Sequence, residues 1–340
     1  MTVQERDDQA TAAAGSSTPA VPEVPPDCER VMVASTASSR GLGIRRLPDR
    51  TDQGGSLVAF QVETSDDARH LLARLDRSGR QIYLDVEAKQ DLDLLSLAAD
   101  VVRHAAVHTM KPNDATVDAT EAFVLHHYGI DLRSRSVAVY GTGNLGFKIA
   151  LRLAERGAHV QLFGRNGERV AQATAAINAI LPRHTRHRLP QGGTRCFDTL
   201  ISAVSGRGAV GTDWLERLGP ESLVIDVGIN NLTAALIAAA HDQGHLCVRL
   251  DVRAAPYPVP PARNAFFESV LGRSQVAGVP VVAGGLIGRP GEVVVDQVPQ
   301  IRQVVGVADG TGGLVPAALW SPGQREEVAA VEAHIGATSP

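Results

Sequence analysis

Apolar residues in this chain alternate between short continuous runs and longer stretches with helical spacing. Ser136–Tyr140 and His159–Phe163 are apolar runs of strand length, the first β-branched, as buried parallel strands should be. Between them Ile149, Leu151, Leu153 and Ala154 form the inward stripe of an amphipathic helix. Thr199–Ala203, Leu223–Val227 and Cys247–Leu250 read as further short strands. Glu168–Ile180, Asp213–Leu218 and Ala234–His241 read as helices. Upstream, Arg30–Ala34, Ser56–Glu63 and Gln81–Val86 predict strands, while Asp66–Leu75, Leu92–Val107 and Asp118–His127 predict helices. Strands that alternate with helices in this way imply parallel sheets covered by helices, an α/β protein.

The two flanks of this pattern differ from it. Residues 1–28 are rich in Ala, Ser, Thr and Pro and are expected to be disordered. Residues 255–300, which contain PYPVPP and GLIGRPGE, carry no clear period and read either as a substrate-specific insertion or as a homodimer contact. Thr311–Leu319 and Glu326–His334 predict helices, so that residues 311–336 could return to the first region.

Composition narrows the class. A chain of 340 residues with 44% apolar and 21% charged residues supports two ordinary globular cores. Its net charge of −4 and lack of a basic run argue against nucleic acid or an anionic membrane as partner. Cys28, Cys196 and Cys247 are far apart, which suggests a reducing compartment and no zinc site. No apolar stretch is long enough to span a bilayer and the N-terminus is polar, so a cytoplasmic location is expected.

The chemistry centres on the turn after Ser136–Tyr140. Gly141-Thr142-Gly143-Asn144-Leu145-Gly146 is a full G-x-G-x-x-G between a strand and a helix. Gly141 permits the tight turn, Gly143 lets a pyrophosphate reach the backbone, and Gly146 lets the helix pack on the sheet. The next strand ends in Phe163-Gly164-Arg165-Asn166 with Arg169 one turn on, where an NAD site usually carries an acid. Guanidinium groups there suit a ribose 2′-phosphate, so NADP is the expected cofactor.

Several segments resemble known dehydrogenases. Tyr128–Leu132 ahead of the glycine turn resembles the entry to the cofactor domain of methylenetetrahydrofolate dehydrogenases. Leu200–Gly206 is similar to their I-S-A-V-G segment, Val224–Asn230 matches V-I-D-V-G-I-N, and Leu250-Asp251-Val252 is similar to G-D-V-D. The resemblance implies that Ala203, Val204, Ser205, Gly228 and Asn230 line the cofactor. The basic loop at Arg165, Asn166 and Arg169 resembles N-R-T-x-x-R of shikimate dehydrogenases, which share the architecture. Val307–Gly313 is similar to a glycine-rich segment both families place before a final helix.

That architecture has two α/β domains around a cleft. A small mixed α/β substrate domain would span 29–118, completed by helix 311–336, and a Rossmann-like, doubly wound parallel sheet would span 119–310. The Tyr-x-x-x-Lys and V-Q-L-P-L-P segments of the folate enzymes are missing here. Tyr83–Lys89 instead has the length and terminal lysine of the shikimate family's N-V-T-x-P-H-K, and Thr116–Ala119 sits where that family carries N-T-D-G. Ser35 and Ser38 echo its carboxylate-binding serines. The resemblance implies Lys89 as acid/base and Asp118 as its orienting partner; without it, a solvated strand end and a helix N-cap explain the two residues.

Lys111 is a second lysine candidate, and Asn113 and Asp114 read as helix caps or substrate contacts. The function expected is hydride transfer between NADP(H) and a small polar metabolite. A folate-type dehydrogenase and a non-catalytic NADP-binding regulatory protein are the alternatives. His184 with His187, and His126 with His127, lack accompanying ligands at metal spacing, so no metal is expected.

Overall fold

A computed structural model of the chain describes residues 22–35, 41, 43–52, 55–87, 91–182, 188–190, 196–228, 230–250 and 266–338. The chain divides into two compact units, residues 1–257 and 258–340.

The first unit holds two α/β sheets. Its first sheet contains β1 (Arg30–Ser35), β2 (Arg45–Asp52), β3 (Gly55–Val62), β4 (Gln81–Asp85) and β5 (Ala106–Met110), in the order β2-β3-β1-β4-β5. Only β2 runs antiparallel, as a hairpin with β3. Helices α1 (Ser65–Leu75) and α2 (Leu94–Val101) begin on side-chain caps from Thr64 and Asp93. Leu71, Leu72 and Leu75 of α1 and Leu94 and Leu97 of α2 are buried with Val31, Val33, Phe60 and Leu84.

The 17-residue helix α3 (Pro112–Tyr128) carries the chain to the second sheet. It opens with proline in the first turn, where the missing N–H costs nothing, and ends at Gly129, whose φ is +86°. The second sheet contains β6 (Ser136–Tyr140), β7 (His159–Phe163), β8 (Phe197–Ser202), β9 (Leu218–Asp226) and β10 (Leu246–Arg249), all parallel, in the order β10-β9-β8-β6-β7. Helices α4 (Asn144–Glu155) and α5 (Gly167–Ile180) pack with α3 on one face, around Val137, Val139, Ile149, Leu153 and Ile177. Trp214 and α6 (Ala234–Asp242), through Leu236, cover the other face. This is the doubly wound parallel sheet expected after the glycine turn.

The second unit is a four-stranded sheet, β11 (Arg273–Val276), β12 (Val279–Ala283), β13 (Val293–Val295) and β14 (Val304–Val307), adjacent in that order. Helix α7 (Pro322–Thr338) buries Val328 and Val331 against Val276, Val281, Val293 and Val295.

The structure revises several expectations. For residues 255–300, expected as a substrate-specific insertion or a homodimer contact, and for 311–336, expected as a helix completing the first domain, the part from 258 onward forms one compact unit, and α7 gives its apolar stripe to that unit's own sheet. Thr311–Leu319 holds only a short 3-10 turn at Ala317–Leu319. The helix expected over Leu92–Val107 ends at Val101, and β5 follows. The helix expected from Asp118 begins at Pro112. Within the tail expected to be disordered, Val24 packs against the first core and Cys28 is buried in it. Among the described residues, no helix is long and apolar enough to cross a membrane.

Candidate functional site

Strand register brings the candidate residues of the second sheet to one edge. Phe163 pairs with Tyr140, Tyr140 with Ser202, Ser202 with Asp226 and Asp226 with Arg249, so these strands finish level. The chain moves from β6 to β7 on one side and then crosses to β8 on the other. The switch point therefore lies at the carboxyl ends of β6 and β8, where open α/β sheets bind ligands.

The three glycines of the turn have different local reasons. Gly141 has φ +140°, and a Cβ there would collide with the Ala203 carbonyl. Gly146 packs on the turn itself, and a Cβ would overlap the Gly141 carbonyl. A Cβ on Gly143 would meet nothing within 4 Å among the described residues, and Gly143 is exposed. It is the N-cap of α4 and offers no side-chain acceptor to the free N–H groups of the first turn. Asn144 is exposed, and Thr142 and Leu145 are half-buried. A Cβ on Gly164 would touch the Thr142 methyl at 3.6 Å, which brings the end of β7 beside the turn.

Arg165 and Arg169 are exposed just beyond β7. Asn166 accepts from the Arg169 N–H (3.0 Å) and caps α5, a structural use of a residue expected at the cofactor.

On the other side of the turn, Ala203 still pairs with Tyr140 (N to O, 2.8 Å) and begins the loop of Val204 and Ser205. Gly228 does not adopt the positive φ that a glycine turn would suggest. Space requires it instead, since a Cβ would collide with Asn231 and the Val204 carbonyl. The positive φ, +60°, falls on exposed Asn230, whose carbonyl accepts from Gly208 N–H (2.8 Å). Asp226 accepts from the N–H groups of Gly228 (3.1 Å) and Asn231 (3.0 Å). Asn231 was not singled out in the sequence. Its side chain is fully buried and bonded to the Val204 loop, and an adjacent Asn-Asn pair gives no hint of which residue turns inward.

The first sheet winds in the same sense, with β3 and β4 flanking β1, and its switch point lies where β1 and β4 end. There the buried Asp85 carboxylate accepts from Ser35 N–H (3.2 Å), Ser35 Oγ (3.0 Å) and Glu87 N–H (2.9 Å). Glu87 in turn accepts from Asn113 N–H (3.1 and 3.2 Å), so it supplies the anionic cap that Lys111, the N-cap of α3, lacks. Asn113 and Asp114 therefore do not cap the helix. Lys89 and Ser38 lie outside the described residues.

Asp118 sits in the second turn of α3 and takes Arg152 of α4 at 2.8 Å, in a row of ion pairs that joins the two helices. Lys148 pairs with Asp114, and Arg152 and Arg156 both reach Glu121, at 2.9 and 2.6 Å. Burial pushes the Cys247 thiol up, away from the range of a nucleophile. His184 and His187 lie outside the described residues, and among those described no three ligands gather as a metal site would need.

The chain matches no protein-family model and no curated protein. Among solved structures it is similar to a shikimate dehydrogenase in complex with NADP+, at 13% identity and TM-score 0.41, covering 65% of this chain and 84% of that one. It is similar to the hetero-hexameric glutamate dehydrogenase of Thermus thermophilus, at 17% identity and TM-score 0.41, covering 71% and 73%. The dipicolinate synthase A chain of Bacillus subtilis matches at 16% identity and TM-score 0.33, covering 64% and 68%. At these values the likeness is one of fold alone.

Proposed function

We propose that the chain is an NADP-dependent dehydrogenase acting on a small polar metabolite. The observation that carries this reading is the division of labour at the glycine turn. Packing and backbone conformation account for Gly141 and Gly146, whereas among the described residues nothing occupies the space at Gly143. An open, exposed glycine at an uncapped helix N-terminus, at the switch point of a parallel sheet, fits a pyrophosphate.

In this reading Gly143, Asn144 and Leu145 present backbone N–H groups to the phosphates, with Thr142 beside the turn. Arg165 and Arg169 hold the 2′-phosphate, and Asn166 keeps that corner in shape by capping α5. Ala203, Val204, Ser205, Gly228 and Asn230 wall the other half of the crevice. Bound NADPH would supply the hydride.

The chain's own residues would bind the substrate and handle its proton. Lys89, two residues past Glu87, is proposed as acid/base. Asp118 could orient it only after leaving Arg152, which makes it the weaker half of the pair. Ser35, Asp85 and Glu87 stiffen the strand ends ahead of Lys89.

Fluorescence titration with NADPH and NADH tests the cofactor. Arg165→Ala is expected to weaken NADPH by about tenfold or more, roughly 1.4 kcal/mol, and to leave NADH unchanged. Absence of binding by either nucleotide would make the turn architectural and end this reading. Lys89→Ala should keep NADPH affinity and abolish turnover. A protein that binds NADPH but turns over no candidate substrate would be a sensor instead.

A further inference from the structure

Asn231 is fully buried, and every hydrogen-bonding position of its side-chain amide is used. Nδ2 donates to the carbonyls of Val204 (2.8 Å) and Gly206 (2.9 Å). Oδ1 accepts from Ser202 Oγ (3.0 Å) and from Val204 N–H (3.1 Å). The amide thus pairs with both the N–H and the C=O of Val204, as a neighbouring strand would. Its own backbone N–H is held by Asp226 at 3.0 Å. A rigid planar group anchored to the end of β9 therefore fixes the loop that leaves β8. From the opposite side, the α-carbon of Gly141 meets the same loop at the Ala203 carbonyl.

That loop has a defined place in the crevice. The 2′-phosphate readers stand at the end of β7, on one side of the switch point, so the adenosine half lies there and the other half lies over β8. We propose that Asn231 is a positioning residue for the nicotinamide half of the cofactor. It sets the backbone of Ala203–Gly206 without touching the cofactor. The inference rests on the NADP reading above. A structural clamp alone would support the fold and show no preference between the two halves of the ligand.

The test compares NADPH with adenosine 2′,5′-bisphosphate, which carries only the adenosine end. Asn231→Asp exchanges both amide donors for acceptors and leaves the Val204 and Gly206 carbonyls unpaired. Ser202→Ala removes a single hydroxyl donor and is the milder variant. Asn231→Asp is expected to weaken NADPH about tenfold, and Ser202→Ala about threefold, while both keep bisphosphate affinity within about twofold. If thermal unfolding shows that Asn231→Asp does not fold, Ser202→Ala decides. Equal losses for both ligands, or no loss for either, would overturn the positioning role. Wild-type protein that binds bisphosphate but not NADPH would overturn it as well. Failure of wild type to bind either ligand would bring down the NADP reading first and the role of Asn231 with it.

Discussion

Gly146 lies so close to Gly141 that a methyl group on its α-carbon would occupy the Gly141 carbonyl. Helix α4 is packed directly onto the turn that precedes it, which leaves its N-terminal N–H groups beside the strand ends. Gly146→Ala should therefore lose stability, by about 1–3 kcal/mol from overpacking. Gly143→Ala, at a position with free space, should unfold within about 0.5 kcal/mol of wild type yet weaken NADPH by about tenfold. Thermal unfolding and titration of both variants separate packing from binding. Equal behaviour of the two would contradict the assignment.

The ion pairs between α3 and α4 differ in weight. The Glu121 carboxylate, 10% exposed, is shared by Arg152 and Arg156, whereas Asp118 is 60% exposed beside Arg152 alone. Denaturant unfolding should show a loss of about 1.5–3 kcal/mol for Glu121→Ala and about 0–1 kcal/mol for Asp118→Ala. A larger effect of Asp118→Ala on turnover than on stability would revive its catalytic role.

Asp76, at the end of α1, accepts from the N–H groups of Arg103 (2.9 Å), His104 (2.6 Å) and Ala105 (2.9 Å). Burial pushes its carboxyl up, but the three donors outweigh this and hold it below the ordinary value. A depressed carboxylate stabilises the fold above its unfolded pKa, about 3.9, and the contribution disappears as pH falls through the folded value. Asp76→Asn should therefore be less stable than wild type at neutral pH, and the gap should narrow progressively as pH falls below the unfolded value of about 3.9. A gap that is the same at both ends would mean that the side chain acts through shape alone.

Val331 is buried between α7 and the sheet of the second unit. Val331→Asp places a charge there without a partner and should cost about 3 kcal/mol or more. Limited proteolysis should then cut within residues 258–340 while the NADPH affinity of the chain persists. Loss of NADPH binding would show that the two units depend on each other.

Legibility followed the locality of the cause. β6, the glycine turn, α4 and β7 form a local unit with a strong period, and the sequence placed β6 and β7 at their observed bounds. β5 was absorbed into a helix because Ala105, Ala106 and Val107 continue the apolar spacing of α2. The decision belongs to β4, which pairs Gln81–Asp85 with Ala106–Met110. The strands of the second unit were missed because they are short and punctuated by glycine and proline. Their valines become a core only when α7 is laid against them. At the site, Gly141 and Gly146 were legible as motif positions, but the motif hid the fact that a different atom crowds each one. Asn231 was invisible because its partners, Ser202, Val204 and Gly206, come from another strand end.

The free space at Gly143 also has a bearing on descent. Packing and backbone conformation favour glycine at Gly141 and Gly146 for stability alone, whether or not a nucleotide is ever bound. Gly143 is under no such demand, so selection for the ligand alone would keep it. A lineage of this protein that abandoned nucleotide binding would be free to drift at 143 while retaining the other two. That one position would then record, in otherwise similar chains, whether the ancestral chemistry had been kept.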